Sequence, residues 1–256
     1  MHRFSRTELL VGKEGLELLR RSTVAVFGLG GVGSYAVEAL ARTGVGHLVL
    51  VDFDEICLTN INRQLIALQS TVGRPKVDVA AARVLDIDRR IVVEPVKRFY
   101  SDATRDDLLR SDYSYVVDAI DSIAQKIDLV AECIGRGLPV VSCMGTGSKL
   151  DPTLFKVVDI SKTHTDPLAK AMRLGLRERG IAKGLKCVFS PELPRPLFEV
   201  DGDCRVDCIC PNKGKQEFDC TMRRHIPGSI AFVPSVAGLI LAAVVVNDLL
   251  EASGRS

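Results

Sequence analysis

The sequence predicts an α/β fold: a Rossmann-like, doubly wound, mostly parallel sheet with antiparallel edge strands and a cysteine-rich inserted loop. Three observations predict it. Short β-branched runs alternate with helical periods from Thr23 to Gly147, the order of repeated strand-helix-strand units. The first run, TVAVF, passes straight into Gly28-x-Gly30-x-x-Gly33 and an Ala/Leu-rich helix. The next, HLVLVD, ends on Asp52, about twenty residues past the last glycine, where such folds place an acid.

An opening helix is expected over roughly Arg6 to Arg20, ahead of the strand at Thr23. Further strands are expected near His47, Ile91, Tyr113 and Pro139, interleaved with helices near Val32, Lys76, Arg105 and Ile123. Beyond Gly147, strands near Leu154 and Lys186 are expected to extend the sheet with antiparallel edges. A Pro-, Gly- and charge-rich excursion, about residues 191–225, has neither helical nor strand period. A C-terminal apolar helix follows at about 235–253. No low-complexity linker or internal repeat divides the chain, so residues 1–256 are expected to form a single domain. At 46% hydrophobic it can bury a large core.

The glycine turn has a physical reading. Gly28 permits a tight turn, Gly30 and the adjoining Gly31 leave room for a phosphate beside the backbone, and Gly33 lets the helix pack closely on the strand. The helix N-terminus adds N–H donors and a positive dipole end, and Asp52 is placed to hold a ribose hydroxyl. A dehydrogenase needs only these groups. Here Asp52 continues into Asp54, Asn60, Asn62, Arg63 and Gln64, then Gly73-Arg74-Pro75-Lys76 at a helix start. Arg63 and Lys76 can neutralise phosphates, Asn60 can bond ribose or phosphate, and Asp121 in VVDAIDS can hold magnesium. Alone, Arg63 or Lys76 reads as a surface charge and Asp121 as a helix cap. Together they suit ATP with Mg2+.

A net charge of +2 gives no global basic field. Two local clusters are candidate contacts to nucleic-acid phosphates: Lys170, Arg173, Arg177, Arg179, Lys183 and Lys186, and then Arg223, Arg224 and His225. Solvated helix faces would read the same way. No segment has the order of a signal peptide, so a cytoplasmic location is expected. The apolar run from Ile230 to Val246 contains Pro234, Ser235 and Gly238 and ends in Asn247 and Asp248. It reads as a helix of the core or a dimer interface, without stable membrane insertion.

Eight cysteines in such a chain argue for metal or reactive thiols rather than disulfides. Cys204, Cys208, Cys210 and Cys220 cluster in the excursion, and four thiolates can close a tetrahedral site. The spacing departs from paired C-x2-C knuckles, so zinc, an iron–sulfur cluster and free thiols all stay open. Cys57, Cys133 and Cys143 read as small buried hydrophobes, while Cys187 in LKCVFS is open to a reactive role.

The order GLGGVGS, VDFDEICLTNINRQ, GRPK and VVDAID resembles the adenylating enzymes related to the ubiquitin activators, over residues 3 to about 160 and again about 226 to 250. The resemblance implies that Asp52, Asn60, Arg63, Lys76 and Asp121 bind ATP and Mg2+. It also implies that Arg6 of the Arg3-Phe4-Ser5-Arg6 motif reaches the phosphates of a partner subunit, in a homodimer. The segments LFKVVDISKTHTDPLAKAMRLGLRERG, KCVFSPELP and IPGSIAFVPSVAGLILAAVVVNDLL resemble the bacterial tRNA threonylcarbamoyladenosine dehydratases. That branch implies ATP-dependent cyclisation of a modified base beside the anticodon, with tRNA as partner and a sulfur-relay protein as a further one. The alternative is adenylation of the C-terminal Gly-Gly of a ubiquitin-like sulfur carrier, with Cys187 or a clustered cysteine taking part. A nicotinamide-dependent oxidoreductase would leave Asn60, Arg63 and Lys76 without work, and a non-catalytic nucleotide-binding adaptor remains a further reading.

Overall fold

The computed structural model describes residues 2–198 and 227–254. The β-branched runs become β1 (Thr23–Phe27), β2 (His47–Val51), β3 (Val92–Val96), β4 (Tyr115–Asp118) and β5 (Val140–Cys143), followed by β6 (Lys156–Asp159) and β7 (Lys186–Phe189). Their order in the sheet is β3-β2-β1-β4-β5-β7-β6. The helices are α1 (Ser5–Arg21), α2 (Gly33–Thr43), α3 (Lys76–Ile87), a single turn α4 (Arg105–Leu108), α5 (Ile123–Gly135), α6 (Pro167–Glu178) and α7 (Phe232–Ala252). The order reverses between β1 and β4, the crevice where doubly wound sheets bind ligands.

Alternation within β1 shows why the centre of the sheet is apolar throughout. Val24 and Val26 join one buried cluster with Leu40, Leu48, Leu50 and Leu241, while Ala25 and Phe27 join another with Val49, Val51 and Leu129. Successive side chains point to opposite faces, and helices cover both. A third cluster, including Met172, Leu176, Cys187 and Phe189, seats α6 near the far edge.

Two elements differ from the sequence reading. Of the late strands only β6 is antiparallel; β7 pairs parallel with β5 and carries β6 outside it. The chain skips one position after β5, makes the edge strand, and returns through α6 to fill the gap. The opening helix is kinked, because Gly12 is left-handed and extended (φ 73°, ψ 168°). The apolar helix α7 is long and apolar enough to cross a membrane by length and composition. It lies against α1, α2, β4, β5 and β7, with Val233, Ala237, Leu241 and Val245 fully buried.

Candidate active site

The register brings the site together. Phe27 is level with both Val51 and Asp118, so Gly28, Asp52 and Ala119 emerge along one edge of the sheet. The turn out of β1 needs glycine at Gly28, whose φ is +88° and where a Cβ would come within 2.7 Å of the Ala119 carbonyl oxygen. At Gly33 the reason is closeness: a Cβ would lie 1.8 Å from the Gly28 carbonyl oxygen. The first turn of α2 is thereby pressed onto the glycine loop, with its N–H groups directed at that edge.

Asp52 is buried and tied to this turn. Its carboxylate accepts from Leu29 N at 2.6 Å and from Asp54 N at 2.8 Å. Burial pushes its pKa up, against the pull of Lys76 and the two N–H donors. Lys76, the first residue of α3, is 4% exposed. Its Nζ lies 2.7 Å from Asp54 and 3.9 Å from Asp52. Burial alone would lower the ammonium pKa, but Asp52 and Asp54, with Asp121 beyond them, hold it above the ordinary lysine value. Lys76 is therefore a charged group at neutral pH, presented at the crevice by acids of its own site.

Asn60, Arg63 and Gln64 stand on a 3-10 turn, Leu58–Asn60, and the residues after it. The side-chain oxygen of Asn60 accepts from Cys57 N at 3.0 Å, which leaves its amide NH2 as the group for a ligand. Arg63 donates to Thr59 O and to the Asn62 side chain, both at 2.9 Å. Its Cγ would sit 3.3 Å from a Cβ at Gly31, so its stem leans on the glycine loop. Asn62 donates to Ser229 O at 2.9 Å, and Pro234 packs against Gly31. The residues after position 226 thus close the far side of the loop.

Asp121 lies exposed just past β4, on a loop fixed from beneath. Lys126 and Asp118 form an ion pair of 2.9 Å with both side chains wholly buried. Asp118 also accepts from Ile120 N at 3.1 Å and Ser142 Oγ at 2.6 Å, and Lys126 donates to Ile120 O at 3.0 Å. Every bond constrains the segment that delivers Asp121.

The site fits a nucleotide. Gln64 is 7% exposed and its Oε1 has no hydrogen-bond partner among the described residues, while its Nε2 lies 3.9 Å from where a Gly30 Cβ would be. A buried acceptor without a donor costs about 1–3 kcal/mol, and a ligand donor at this place would remove that cost. Over Gly30 an added Cβ would meet only Gln64 Nε2 within 4 Å, so there is room for a phosphate oxygen there, whereas the corresponding space at Gly31 is taken by Pro234 and the Arg63 stem.

Other expected residues fall elsewhere. Arg6 is exposed on α1, beside a groove lined by Leu10, Leu239, Ala242 and Val246. Arg3 is tied to Ile87 O at 2.6 Å and to Asp88 at 3.1 Å. The first basic cluster is partly consumed in place: Arg179 pairs with Asp128 at 2.7 Å, Lys186 with Asp248 at 2.5 Å, and Arg173 bonds Thr163. Lys170 and Arg177 remain exposed on α6, and Lys183 is exposed beyond it. Cys187 is fully buried and burial pushes its thiol well up; Cys133 and Cys143 are buried too, each pushed up to about 12. Among the described residues no three or more His, Cys, Asp or Glu side chains gather to hold a metal. Cys204, Cys208, Cys210 and Cys220, with Arg223, Arg224 and His225, lie outside the described residues.

The family model described as the ThiF family matches residues 4–254. The chain belongs to the ThiF family. It is 51% identical to the tRNA threonylcarbamoyladenosine dehydratase of Bacillus subtilis (strain 168), covering 98% of this chain and 96% of that protein. It is 42% identical to the enzyme of the same name from Escherichia coli (strain K12), covering 99% and 95%. The structure is similar to the crystal structure of the E. coli tRNA N6-threonylcarbamoyladenosine dehydratase TcdA in complex with ATP, with a TM-score of 0.84 and 33% identity over 99% of this chain and 96% of that one. Likeness to the E. coli molybdopterin-synthase adenylyltransferase is 38% identity over 62% of this chain.

Sequence reasoning left three contributors to this ThiF-type site unassigned: Gln64, Pro234 and the Asp118–Lys126 pair. The last had a signal. Lys126 stands three, four and seven residues before Leu129, Val130 and Cys133, on the buried face of α5, where an unpaired ammonium cannot reside.

Proposed function

We propose that this chain is an ATP-dependent tRNA threonylcarbamoyladenosine dehydratase. It activates the threonyl carboxylate of the modified adenosine so that the carbamoyl nitrogen closes a five-membered ring. The observation that carries the reading is the Asp52–Asp54–Lys76 cluster locked to the glycine turn, in a chain half identical, over nearly its full length, to a relative bearing that name.

The chemistry suits these groups. A carboxylate oxygen attacks the α-phosphorus and pyrophosphate leaves. The tethered nitrogen then attacks the acyl carbon, loses its proton, and AMP departs. The net loss from the nucleoside is one water. Its nucleophile is part of the substrate, which supplies the proximity, and no protein thiol is required. In this reading Asp52 holds the ribose, and Asn60 binds ribose or phosphate. Arg63 and Lys76 stabilise charge growing on the phosphates. Asp121 would hold Mg2+ with phosphate oxygens and water, and the bound ion would offset triphosphate charge. A single carboxylate is an ordinary share of the coordination for this cation. We assign Arg6 to the phosphates of a second subunit, the groove between α1 and α7 to the contact of a homodimer, and the exposed Lys170 and Arg177 to tRNA phosphates. Action on tRNA in the cytoplasm accords with these assignments; a sulfur-relay partner is not required by the chemistry.

The test is to incubate the protein with ATP, Mg2+ and tRNA carrying threonylcarbamoyladenosine, digest the tRNA, and weigh the nucleoside by mass spectrometry. ATP-dependent loss of one water is expected. No loss, with pyrophosphate exchange stimulated by a Gly-Gly-ending protein, would move the assignment to a carrier-protein activator.

A further inference from the structure

Another buried ion pair lies at the same edge of the sheet, beyond the groups assigned to the nucleotide. Lys149 Nζ is 2.6 Å from Asp166 Oδ2, and both side chains are 1% exposed. The ammonium also donates to Gly145 O at 2.7 Å and Ser190 O at 3.1 Å, which uses its three protons. Asp166 accepts from Ala169 N at 2.8 Å, capping α6, and from Gly145 N at 3.3 Å. The pair thus joins the loop after β5, the residue after β7 and the start of α6.

Each partner follows a strained residue. Ser148 and Thr165 both have φ of +57°, and they are the two non-glycine residues with positive φ among those described. Glycine would hold either position without steric cost. Such strain persists only where the surroundings over-determine it, and it gathers at functional sites. A buried ion pair is moreover weak evidence for stability, since well-packed apolar groups do as well. Charge and strain together specify one arrangement of these loops.

That arrangement reaches the nucleotide groups. Ser148 N donates to Gly228 O and Ser148 O accepts from Arg195 N, both at 2.7 Å, and Thr165 Oγ1 donates to Pro191 O at 2.9 Å. The residue after Gly228 is Ser229, whose carbonyl receives the Asn62 side chain beside Arg63. The nucleotide groups occupy the ends of β1, β2 and β4; the end of β3 lies beyond β2, and on the β4 side of the crevice the ends of β5 and β7 are the part of this edge next to them for the group to be activated. The exposed basic side chains of α6 begin from the Asp166 cap.

We propose that Lys149 and Asp166 are positioning residues for the carboxylate-bearing substrate, holding the loop after β5 and the start of α6 where that carboxylate meets the α-phosphate. The proposal rests on the dehydratase reading above. Two variants test it: Asp166→Asn, which keeps shape and helix cap, and Lys149→Met combined with Asp166→Leu, which leaves no buried charge unpaired. For each, the dissociation constant of MgATP, the melting temperature, and kcat and KM for modified tRNA are measured beside wild type. Expected is MgATP affinity within about twofold of wild type with kcat/KM for the tRNA down about tenfold or more, the scale at which misplacing a reacting group by a fraction of an ångström is felt. Unchanged kcat/KM, or ATP affinity falling in step with it, overturns the proposal, as does failure of both variants to hold their fold. An inactive wild type would instead overturn the dehydratase reading.

Discussion

Replacing Gly33 by alanine adds one carbon to a contact that has no room for it. The new Cβ would lie 1.8 Å from the Gly28 carbonyl oxygen, 2.9 Å from the Gly28 carbonyl carbon and 3.3 Å from the Ala119 Cβ. Real Cβ atoms stay at least about 3.0 Å from such neighbours, so α2 and the glycine turn must part by about 1.2 Å. Both partners are backbone, and no flexible side chain absorbs the change. Overpacking of this kind costs about 1–3 kcal/mol, which for a domain of this size lowers Tm by about 2–12 °C. The larger effect is on function, because the turn carries the N–H groups and, through Leu29 N, the Asp52 carboxylate. A shift of about 1 Å in a positioning element costs roughly a hundredfold in turnover. Calorimetric titration with ATP and a thermal melt read the two effects separately. Gly135→Ala is the control: it ends α5, its added Cβ meets nothing within 4 Å, and it should be neutral or stabilise by about 0.5–1 kcal/mol. If Gly33→Ala binds ATP within twofold of wild type and melts within a degree of it, the close-approach argument is wrong.

Asp121→Ala and Arg63→Ala should each abolish product formation while leaving the melting curve in place, since both side chains project from loops whose backbone is held by other groups; an active, fully folded Asp121→Ala would remove the metal assignment. Cys187→Ala should keep cyclisation, because burial holds that thiol protonated and out of reach; loss of turnover in a folded variant would restore a covalent route. Asp128 provides a pH test. Burial would raise its pKa, but Arg179, Tyr100 and Arg105 outweigh it and hold the carboxyl below its ordinary 3.8. Its contribution to stability is therefore present above about pH 4 and lost as pH falls through the lower folded value, so the gap in urea midpoint between wild type and Asp128→Asn should be open at pH 7 and narrow at pH 3. Elemental analysis of anaerobically purified protein addresses Cys204, Cys208, Cys210 and Cys220, and less than roughly 0.2 metal per chain would count against a closed site.

The parts legible in the sequence were those with local signals. TVAVF, the glycine spacing and HLVLVD each carry their own periodicity, and the register of β1 with β2 and β4 then follows from standard connections. Asp52 and Lys76 were legible as residues but not as a coupled pair, since burial sets that coupling and only the folded chain displays it. The place of β7 was not legible: KCVF is as good a central strand as an edge strand, and its parallel pairing with β5 depends on where α6 packs. Lys149 and Asp166 were not legible, because nothing local marks their burial. The pairing of Arg179 and Lys186 with acids on α5 and α7 was likewise not legible, since it depends on how the helices and strand pack.

Helix α7 has a consequence for how the protein is made. Gly31 packs on Pro234, and a Cβ at Gly238 would strike the Val32 carbonyl oxygen at 2.2 Å, so the glycine loop is braced by a segment synthesised about two hundred residues later. At a translation rate of about 5–20 residues per second, the loop waits at least about ten seconds on the ribosome for its support. During that interval the strands already made can pair, but the apolar groove that α7 will fill faces water. Chains released short of Phe232 should therefore recruit chaperones and fail to retain ATP, and chains released with α7 complete should show neither behaviour.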